Sequence, residues 1–335
     1  MSPPNETGMQ TSRPPAPKRG GGGPPVVEIR NLIKHYGRVE ALKGVTLTVH
    51  KGEIFGLLGQ NGAGKTTMVK ALLGIITPSY GEANLLGEPA GTARVRKHVG
   101  YLPEDHRFPD YHTAASLLDF YGALLEVPAA ERRKRADEML EFVGLAKRKD
   151  YKIRTYSKGM KQRLGIAQAI FHDPDVIFLD EPTDGVDPVG RRQIRELLLK
   201  LKEEGKTIFI NSHLLGEVEL ISDRVVILHN GEIIREGATD ELTRQKGLFL
   251  VGLAPGQAFP RDEVAKAGYA ATRRGEYWEV ALTDGQSIDP VLDLIRSRGL
   301  NLRHLEEKHQ TLEDIFMETV EAVLPVEEAP RRRTR

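Results

Sequence analysis

Short apolar runs alternate with segments of helical periodicity over about residues 26–240. The runs at 54–58, 176–179 and 207–210 are almost entirely apolar, which is typical of strands that are buried on both faces of a parallel sheet. The alternation predicts an α/β domain, and its ligand site is expected where strand ends meet helix starts.

One helix is predicted after the run at 176–179. Asp187 is a favourable N-cap residue, and Pro188 suits the first helical turn. The apolar positions that follow at i, i+3, i+4 and i+7 are Ile194, Leu197, Leu198 and Leu201. This spacing places them on one face of the helix, which is therefore predicted to pack against the sheet.

Two further features complete the organisation of this domain. Residues 106–155 are charged and mostly helical in pattern, so they predict an inserted helical subdomain that extends over about 106–172. Apolar residues at 225–228 and 233–234 flank an Asn-Gly pair, the strongest short hairpin signal. The sequence therefore predicts a β-hairpin that closes the domain.

A second unit is predicted over residues 247–323. Strands are expected at 248–253, 270–272, 278–282 and 300–305, and helices at 262–267, 289–298 and 311–323. This order is a split βαβ, ferredoxin-like α+β arrangement with one added helix. Thr311 and Asp314 have the spacing of a capping box at the start of the last helix.

Composition limits the functional classes. The 335 residues carry a net charge of +1, which gives no sign of a nucleic-acid partner, and there is no cysteine for disulfides or thiolate metal sites. No apolar run is long enough to span a bilayer, and no signal peptide is recognisable, so any membrane role is expected to come through a partner. Residues 1–25 and 324–335 are predicted to be disordered tails.

A phosphate-binding loop is the strongest chemical signal. Residues 59–66 match G-x-x-x-x-G-K-[ST] in full, after an apolar strand and before a helical pattern. Glycines let backbone N–H groups surround phosphate oxygens, and Lys65 can reach the β- and γ-phosphates while the Thr66 hydroxyl binds Mg²⁺. The predicted nucleotide-binding residues of this loop are Gly59, Asn61, Gly62, Gly64, Lys65, Thr66 and Thr67.

Two acids end the strand at 176–179. Because side chains alternate along a strand, Asp180 and Glu181 are expected to point in different directions. We assign Asp180 to the Mg²⁺ shell and Glu181 to the polarisation of the attacking water as a general base. An exposed acidic turn is the alternative, and the phosphate loop argues against it.

With these motifs in place, residues 26–240 resemble an ABC ATPase. In that family a Leu-Ser-Gly-Gly-Gln motif opens a helix and contacts the nucleotide held by the other subunit. This chain has Tyr-Ser-Lys-Gly-Met at 156–160. Ser157 and Gly159 are retained, whereas Tyr156, Lys158 and Met160 depart from the motif. The resemblance implies that Ser157 and Gly159 contact a γ-phosphate.

The same resemblance assigns four more residues. Tyr36 lies where the family has an aromatic ring that stacks on adenine, although a buried core tyrosine is the alternative. Asp187 fits the loop that communicates across the dimer, and His213 fits the histidine that contacts the γ-phosphate. Glu104 stands where the family has a Gln that reaches Mg²⁺ and the membrane partner. Its oxygen can still bind Mg²⁺, and its charge adds a negative group near the γ-phosphate.

The segment Gln310–Phe316, Gln-Thr-Leu-Glu-Asp-Ile-Phe, resembles the extension on exporter ATPases of the daunorubicin-resistance and sodium-extrusion type. This extension is implied to be regulatory or to help the subunit dimerise. The resemblance as a whole implies an ABC nucleotide-binding fold with ATP and Mg²⁺ as cofactors. It also implies a head-to-tail pair, most simply a homodimer, that drives separate permease subunits from the cytoplasmic face of the membrane.

Other functions stay open at this point. An importer subunit and an ABC ATPase that acts on ribosomes or DNA are the alternatives. The single phosphate loop and the lack of long coiled coils and zinc-binding cysteines weigh against the ribosomal and DNA-repair types. The transported substrate is not readable, because the membrane partner selects it.

Overall fold

The computed structural model describes residues 23–283 and 285–323. The predicted disordered segments therefore lie outside the described residues, except for positions 23–25. There the first strand begins at Pro25, one residue before the predicted start of the domain. The backbone N–H of Lys51 donates to the Pro24 carbonyl at 2.9 Å. This hydrogen bond joins the residue before the first strand to the residue after the second strand.

The first part of the chain forms an antiparallel sheet and contributes two strands to the central sheet. Its elements are β1 (Pro25–Tyr36), β2 (Val39–His50), β3 (Ile54–Leu58), α1 (Lys65–Leu72), β4 (Tyr80–Leu85), β5 (Glu88–Pro89), α2 (Ala93–Arg96) and β6 (Val99–Leu102). Strands β2, β1, β4 and β5 pair in that order. Strands β3 and β6 instead enter the central sheet.

The predicted helical insertion lies between β6 and the next strand of the central sheet. It contains α3 (Ala114–Leu124), α4 (Ala129–Phe142), two short 3-10 turns (Ala146–Arg148 and Ile153–Thr155) and α5 (Lys158–Ala169). Thr113 and Ser116 form a reciprocal capping box that begins α3. Ser157 caps α5 through its hydroxyl, which accepts a hydrogen bond from the Met160 N–H at 3.2 Å.

The central sheet is completed by β7 (Val176–Asp180), β8 (Thr207–Ser212), β9 (Arg224–His229) and β10 (Glu232–Ala238), with α6 (Pro188–Glu203) and α7 (Leu215–Glu219) between them. The strand order is β10-β9-β3-β8-β7-β6, and only the β9–β10 hairpin is antiparallel. The predicted hairpin is thus confirmed. All residues of β3, β7 and β8 are buried, as expected for strands covered on both faces.

The remaining elements are α8 (Thr239–Thr243), β11 (Arg244–Leu253), α9 (Arg261–Lys266), β12 (Ala270–Arg274), β13 (Tyr277–Ala281), α10 (Asp289–Ser297), β14 (Leu302–His309) and α11 (Leu312–Val323). Strands pair antiparallel in the order β12-β13-β11-β14, which confirms the ferredoxin-like arrangement. Strand β11 begins three residues before position 247, where this unit was predicted to begin, and β14 extends to position 309 rather than 305.

Helix α11 packs on the ATPase domain rather than on the small sheet. Its buried residues Leu312, Ile315, Phe316 and Val320 belong to the same apolar cluster as Val218 of α7. The Glu219 carboxylate accepts a hydrogen bond from the Leu312 N–H at 2.8 Å, and the predicted Thr311–Asp314 capping box is present. Within the described ranges, no helix is both long and apolar enough to cross a bilayer.

Candidate functional site

The phosphate loop lies between the end of β3 and the start of α1, as predicted. Gly64 has φ +107°, and a Cβ atom there would lie 2.4 Å from the Ala41 carbonyl oxygen. A side chain at this position would therefore be strained and would collide with backbone. This explains why glycine precedes Lys65, the first residue of α1.

Lys65 is buried at the base of the loop. Its Nζ donates to the carbonyl oxygens of Gly59 at 2.6 Å and Gln60 at 3.2 Å. Burial lowers the pKa of Lys65, while the nearby carboxylates of Glu181, Asp180 and Glu104 act in the opposite direction. The ammonium group thus belongs to the same electrostatic cluster as the predicted metal-binding acids.

Asp180 and Glu181 lie at the carboxyl end of β7, but they differ in backbone conformation. Strand β7 ends at Asp180, and Glu181 has φ +51°. We expected strand alternation to point the two side chains in different directions. That reason is wrong, because Glu181 lies after the strand, in a left-handed backbone conformation. Left-handed backbone is uncommon for a residue with a Cβ and often occurs at functional sites.

Both carboxylate oxygens of Glu181 accept hydrogen bonds from the last residue of β8 and the residue that follows it. The Ser212 hydroxyl donates to Oε2 at 3.1 Å, and the His213 backbone N–H donates to Oε1 at 3.0 Å. The His213 ring Nδ1 also lies 2.8 Å from Oε1. The two residues predicted separately as catalytic, Glu181 and His213, are thus in direct contact.

Asp180 is buried beside an amide that sequence reasoning missed. The Asn211 side-chain amide donates to Asp180 Oδ1, since β7 and β8 pair these two residues directly. Burial raises the pKa of Asp180 to about 6, with Glu104 and Glu181 adding to the rise and Asn211 and Lys65 opposing it. The surplus of negative charge around Asp180 fits a cation-binding position.

An open cleft of about 640 Å³ brings most of the predicted nucleotide and metal residues together. The predicted residues that line it are Asn61, Gly62, Gly64, Lys65, Thr66, Thr67, Glu104, Asp180 and Glu181. The hydroxyl of Thr66 and the carboxylates of Asp180 and Glu104 are hard oxygen donors, so this set fits Mg²⁺. Sequence reasoning missed Gln60, Asn211 and Asn230, which also line the cleft.

Tyr36 lies at the end of β1, and 48% of its surface is exposed. The alternative that it is a buried core tyrosine is therefore wrong. The Lys34 ammonium lies 5.1 Å from the centroid of the Tyr36 ring, within the range of a cation–π contact. Tyr36 is outside the lining of the phosphate cleft.

The turn that carries Ser157 and Gly159 is also outside the lining of that cleft. It packs instead on the loop before α6. A Cβ atom on Gly159 would lie 3.1 Å from Val186 Cγ1, and Lys158 Nζ forms an ion pair with Asp184 at 2.8 Å. Asp187 caps α6 by accepting a hydrogen bond from the Gly190 N–H at 2.8 Å.

Known proteins resemble this chain in sequence and in fold. The family model described as "ABC transporter" matches residues 42–184. An ABC transporter ATP-binding protein of Synechocystis is 43% identical over 284 residues, which cover 84% of this chain and 78% of that protein. The chain belongs to the ABC transporter ATP-binding proteins. It is therefore an ATP-binding subunit with the fold of an ABC ATPase.

Two further proteins extend the comparison with this ABC subunit. The Nod factor export ATP-binding protein I of Ralstonia nicotianae is 40% identical over 322 residues, covering 92% of this chain and 97% of that protein. The ATP-binding cassette MJ0796, solved as a dimer in a post-hydrolysis state with ADP and Pi, superposes with a TM-score of 0.58. It is 27% identical and covers 64% of this chain and 98% of that chain.

Proposed function

We propose that this chain is the ATP-hydrolysing subunit of an ABC exporter, in which two subunits act head to tail on a separate membrane permease. The observation that carries the proposal is the separation of the two sets of nucleotide residues. The phosphate loop lines the cleft, whereas Ser157 and Gly159 lie outside it. A closed twofold pair places the Ser157 turn of each subunit over the cleft of its partner.

The residues of the cleft divide the work of hydrolysis. Lys65 and the backbone N–H groups of the loop hold the β- and γ-phosphates. Thr66, Asp180 and Glu104 hold Mg²⁺, which neutralises phosphate charge when it is bound. Glu181 polarises the attacking water, and His213 holds the Glu181 carboxylate while its ring contacts the γ-phosphate. Tyr36 stacks on adenine, and Ser157, Gly159 and Asp187 complete the site from the other subunit.

ATP binding closes the pair, because contacts to the γ-phosphate exist only in the closed state. Hydrolysis and release remove those contacts and open it. The helical subdomain passes this movement to the permease. Exposed apolar side chains on that subdomain support the contact: Tyr111 is 71% exposed, Leu124 64% and Phe120 49%. Patches of this kind mark protein interaction sites.

Export is favoured by the relative named for Nod factor export, whose sequence aligns with 92% of this chain. A match of that extent reaches into the ferredoxin-like unit. The placement that follows is the inner face of the cell membrane, through the permease. An importer subunit and a non-transport ABC ATPase are the competing functions, and nothing at the site favours either of them.

The experiment that tests this function compares wild type with Glu181→Gln. We expect the variant to bind ATP normally, to hydrolyse it at least about 10²-fold more slowly, and to elute as an ATP-dependent dimer on sizing. Glu203→Gln, an exposed change near the end of α6, is the matched control and should behave as wild type. Wild-type hydrolysis by Glu181→Gln would overturn the assignment of the base.

A further inference from the structure

Helix α5 contacts the backbone of Glu181. The side-chain amide of Gln162 donates a hydrogen bond from Nε2 to the Glu181 carbonyl oxygen at 3.0 Å. Gln162 is 3% exposed, so this bond is shielded from water. The two residues are 19 positions apart in sequence, and the contact therefore links the helical subdomain to the end of the central sheet.

The contact falls on a residue whose backbone conformation needs support. Glu181 has φ +51°, a conformation that persists in a residue with a side chain only where its surroundings hold it. Its N–H donates to the Asn211 carbonyl at 2.8 Å. Its carbonyl accepts from Gln162 and from the Asp184 N–H at 3.2 Å. The contacts with Asn211 and Asp184 are between backbone groups, whereas Gln162 contacts the Glu181 backbone through its side chain. Gln162 also belongs to the helical subdomain and not to the central sheet.

The side chain of Glu181 depends on this backbone geometry. Its two oxygens lie 3.1 Å from the Ser212 hydroxyl and 3.0 Å from the His213 backbone N–H. A rotation of the Glu181 backbone would move the carboxylate away from both donors and change its direction in the cleft. Displacements of about 1 Å at a reacting group can lower a rate about 10²-fold.

We propose that Gln162 is a positioning residue that holds Glu181 in its left-handed backbone conformation and thereby aims its carboxylate. This inference rests on the proposed role of Glu181 as the base. Helix α5 then carries two functional residues, Ser157 at its start and Gln162 within it. Ser157 is the N-cap of this helix, five residues before Gln162. The residue proposed to meet the partner's nucleotide and the residue that holds Glu181 therefore belong to one helix.

Two other contacts join α5 to the 181–187 loop. Lys158 forms its ion pair with Asp184 at 2.8 Å, and Gly159 lies against Val186. The Lys158–Asp184 pair is about half exposed on both sides, so its own contribution to stability is small. The buried Gln162 bond is the contact in this set that reaches Glu181 itself.

The test is a steady-state comparison of full-length wild type, Gln162→Met and Gln168→Met. Gln162→Met keeps the length of the side chain and removes the donor. We expect kcat to fall about 10- to 100-fold while KM for ATP changes less than about threefold, since the loss concerns the reacting geometry and not ATP binding. Gln168→Met, the same change on the same helix, should keep wild-type kcat and KM.

Two additions keep the result interpretable. Gln162→Asn retains the amide but cannot reach the Glu181 carbonyl, so it should lower kcat in the same way and serves if Gln162→Met does not fold. In a Glu181→Gln background, Gln162→Met should leave ATP-dependent pairing intact and add no further loss of rate, because both changes act through one group.

The outcomes separate this inference from the proposed function. If Glu181→Gln is inactive and both Gln162 variants hydrolyse ATP like wild type, the positioning role of Gln162 is wrong and the proposed function stands. If the Gln162 variants raise KM and leave kcat unchanged, the positioning role is wrong as well. If Glu181→Gln hydrolyses ATP like wild type, the proposed function itself fails.

Discussion

His213 contacts Glu181 through two nitrogen atoms, since its backbone N lies 3.0 Å and its ring Nδ1 lies 2.8 Å from the same carboxylate oxygen. The backbone bond is independent of the side chain at position 213. The ring is half exposed. His213 therefore lies against the proposed base, although it is not among the residues that line the phosphate cleft.

His213→Ala removes the ring and keeps the backbone bond. We expect kcat to fall about 10²-fold, because the variant lacks a polar contact to the reacting phosphate, while ATP binding stays within a few-fold of wild type. Equilibrium binding of a fluorescent ATP analogue and steady-state hydrolysis measure the two effects separately. A change confined to ATP binding would contradict the proposed contact of the His213 ring with the reacting phosphate.

Glu104→Gln changes the charge of the cleft without a change in shape. Glu104 helps to raise the pKa of Asp180, so its carboxylate acts on the same cluster. We expect the variant to bind ATP about tenfold more tightly in the absence of Mg²⁺, because one repulsive charge is removed. The stimulation of ATP binding by Mg²⁺ should shrink accordingly, since one oxygen ligand is weakened.

Titration with ATP in EDTA and in Mg²⁺ measures this ratio. Asp105→Asn is the matched control, because the Asp105 carboxylate pairs with Arg107 at 3.0 Å outside the cleft lining. It should leave both affinities unchanged. An unchanged ratio in Glu104→Gln would mean that the Glu104 carboxylate does not contribute to the metal position.

Arg224, the first residue of β9, is the centre of a buried ion-pair cluster. Its guanidinium contacts the carboxylates of Glu53, at 3.1 Å, and Glu236. Arg224→Met leaves two acids in a largely buried setting, so we expect a loss of about 3–5 kcal/mol in the free energy of unfolding. Arg30→Met, which removes an exposed partner of Glu28, should cost less than about 1 kcal/mol.

The loss from Arg224→Met should depend on pH. Burial raises the pKa of Glu53 and of Glu236, and Arg224 opposes the rise in both. Without Arg224 the folded-state pKa values rise further above the unfolded ones, so the folded state binds more protons and loses stability as pH increases through that range. Urea unfolding at pH 5 and pH 8 should therefore show the larger loss at pH 8. An equal loss at both values would contradict this account.

The contiguous motifs were predictable from sequence because local chemistry defines them. The phosphate loop needs its glycines and Lys65 in fixed order after a strand, and Asp180 ends another apolar strand, β7. Helix α6 was predictable for the same reason, since Asp187 and the apolar spacing at 194–201 lie within one element and the structure buries that face.

Contacts that depend on strand order could not be read from the sequence. Asn211 meets Asp180 only because β8 lies next to β7, and Gln162 meets Glu181 only because α5 packs against the end of β7. The left-handed backbone of Glu181 has no local signal of its own. The same holds for helix α11. The sequence predicted its apolar face, but not that this face packs on the ATPase domain.

The central claim is that a complete ATP site needs two subunits, and hydrolysis measured against chain concentration tests it most directly. Purified wild type should show specific activity that rises with concentration and then levels off, because the active species is a pair. Ser157→Arg, which blocks the surface offered to the partner's nucleotide, should remove that rise while ATP still binds. Specific activity that stays constant down to concentrations at which sizing shows only monomer would contradict the composite site and the proposed mechanism with it.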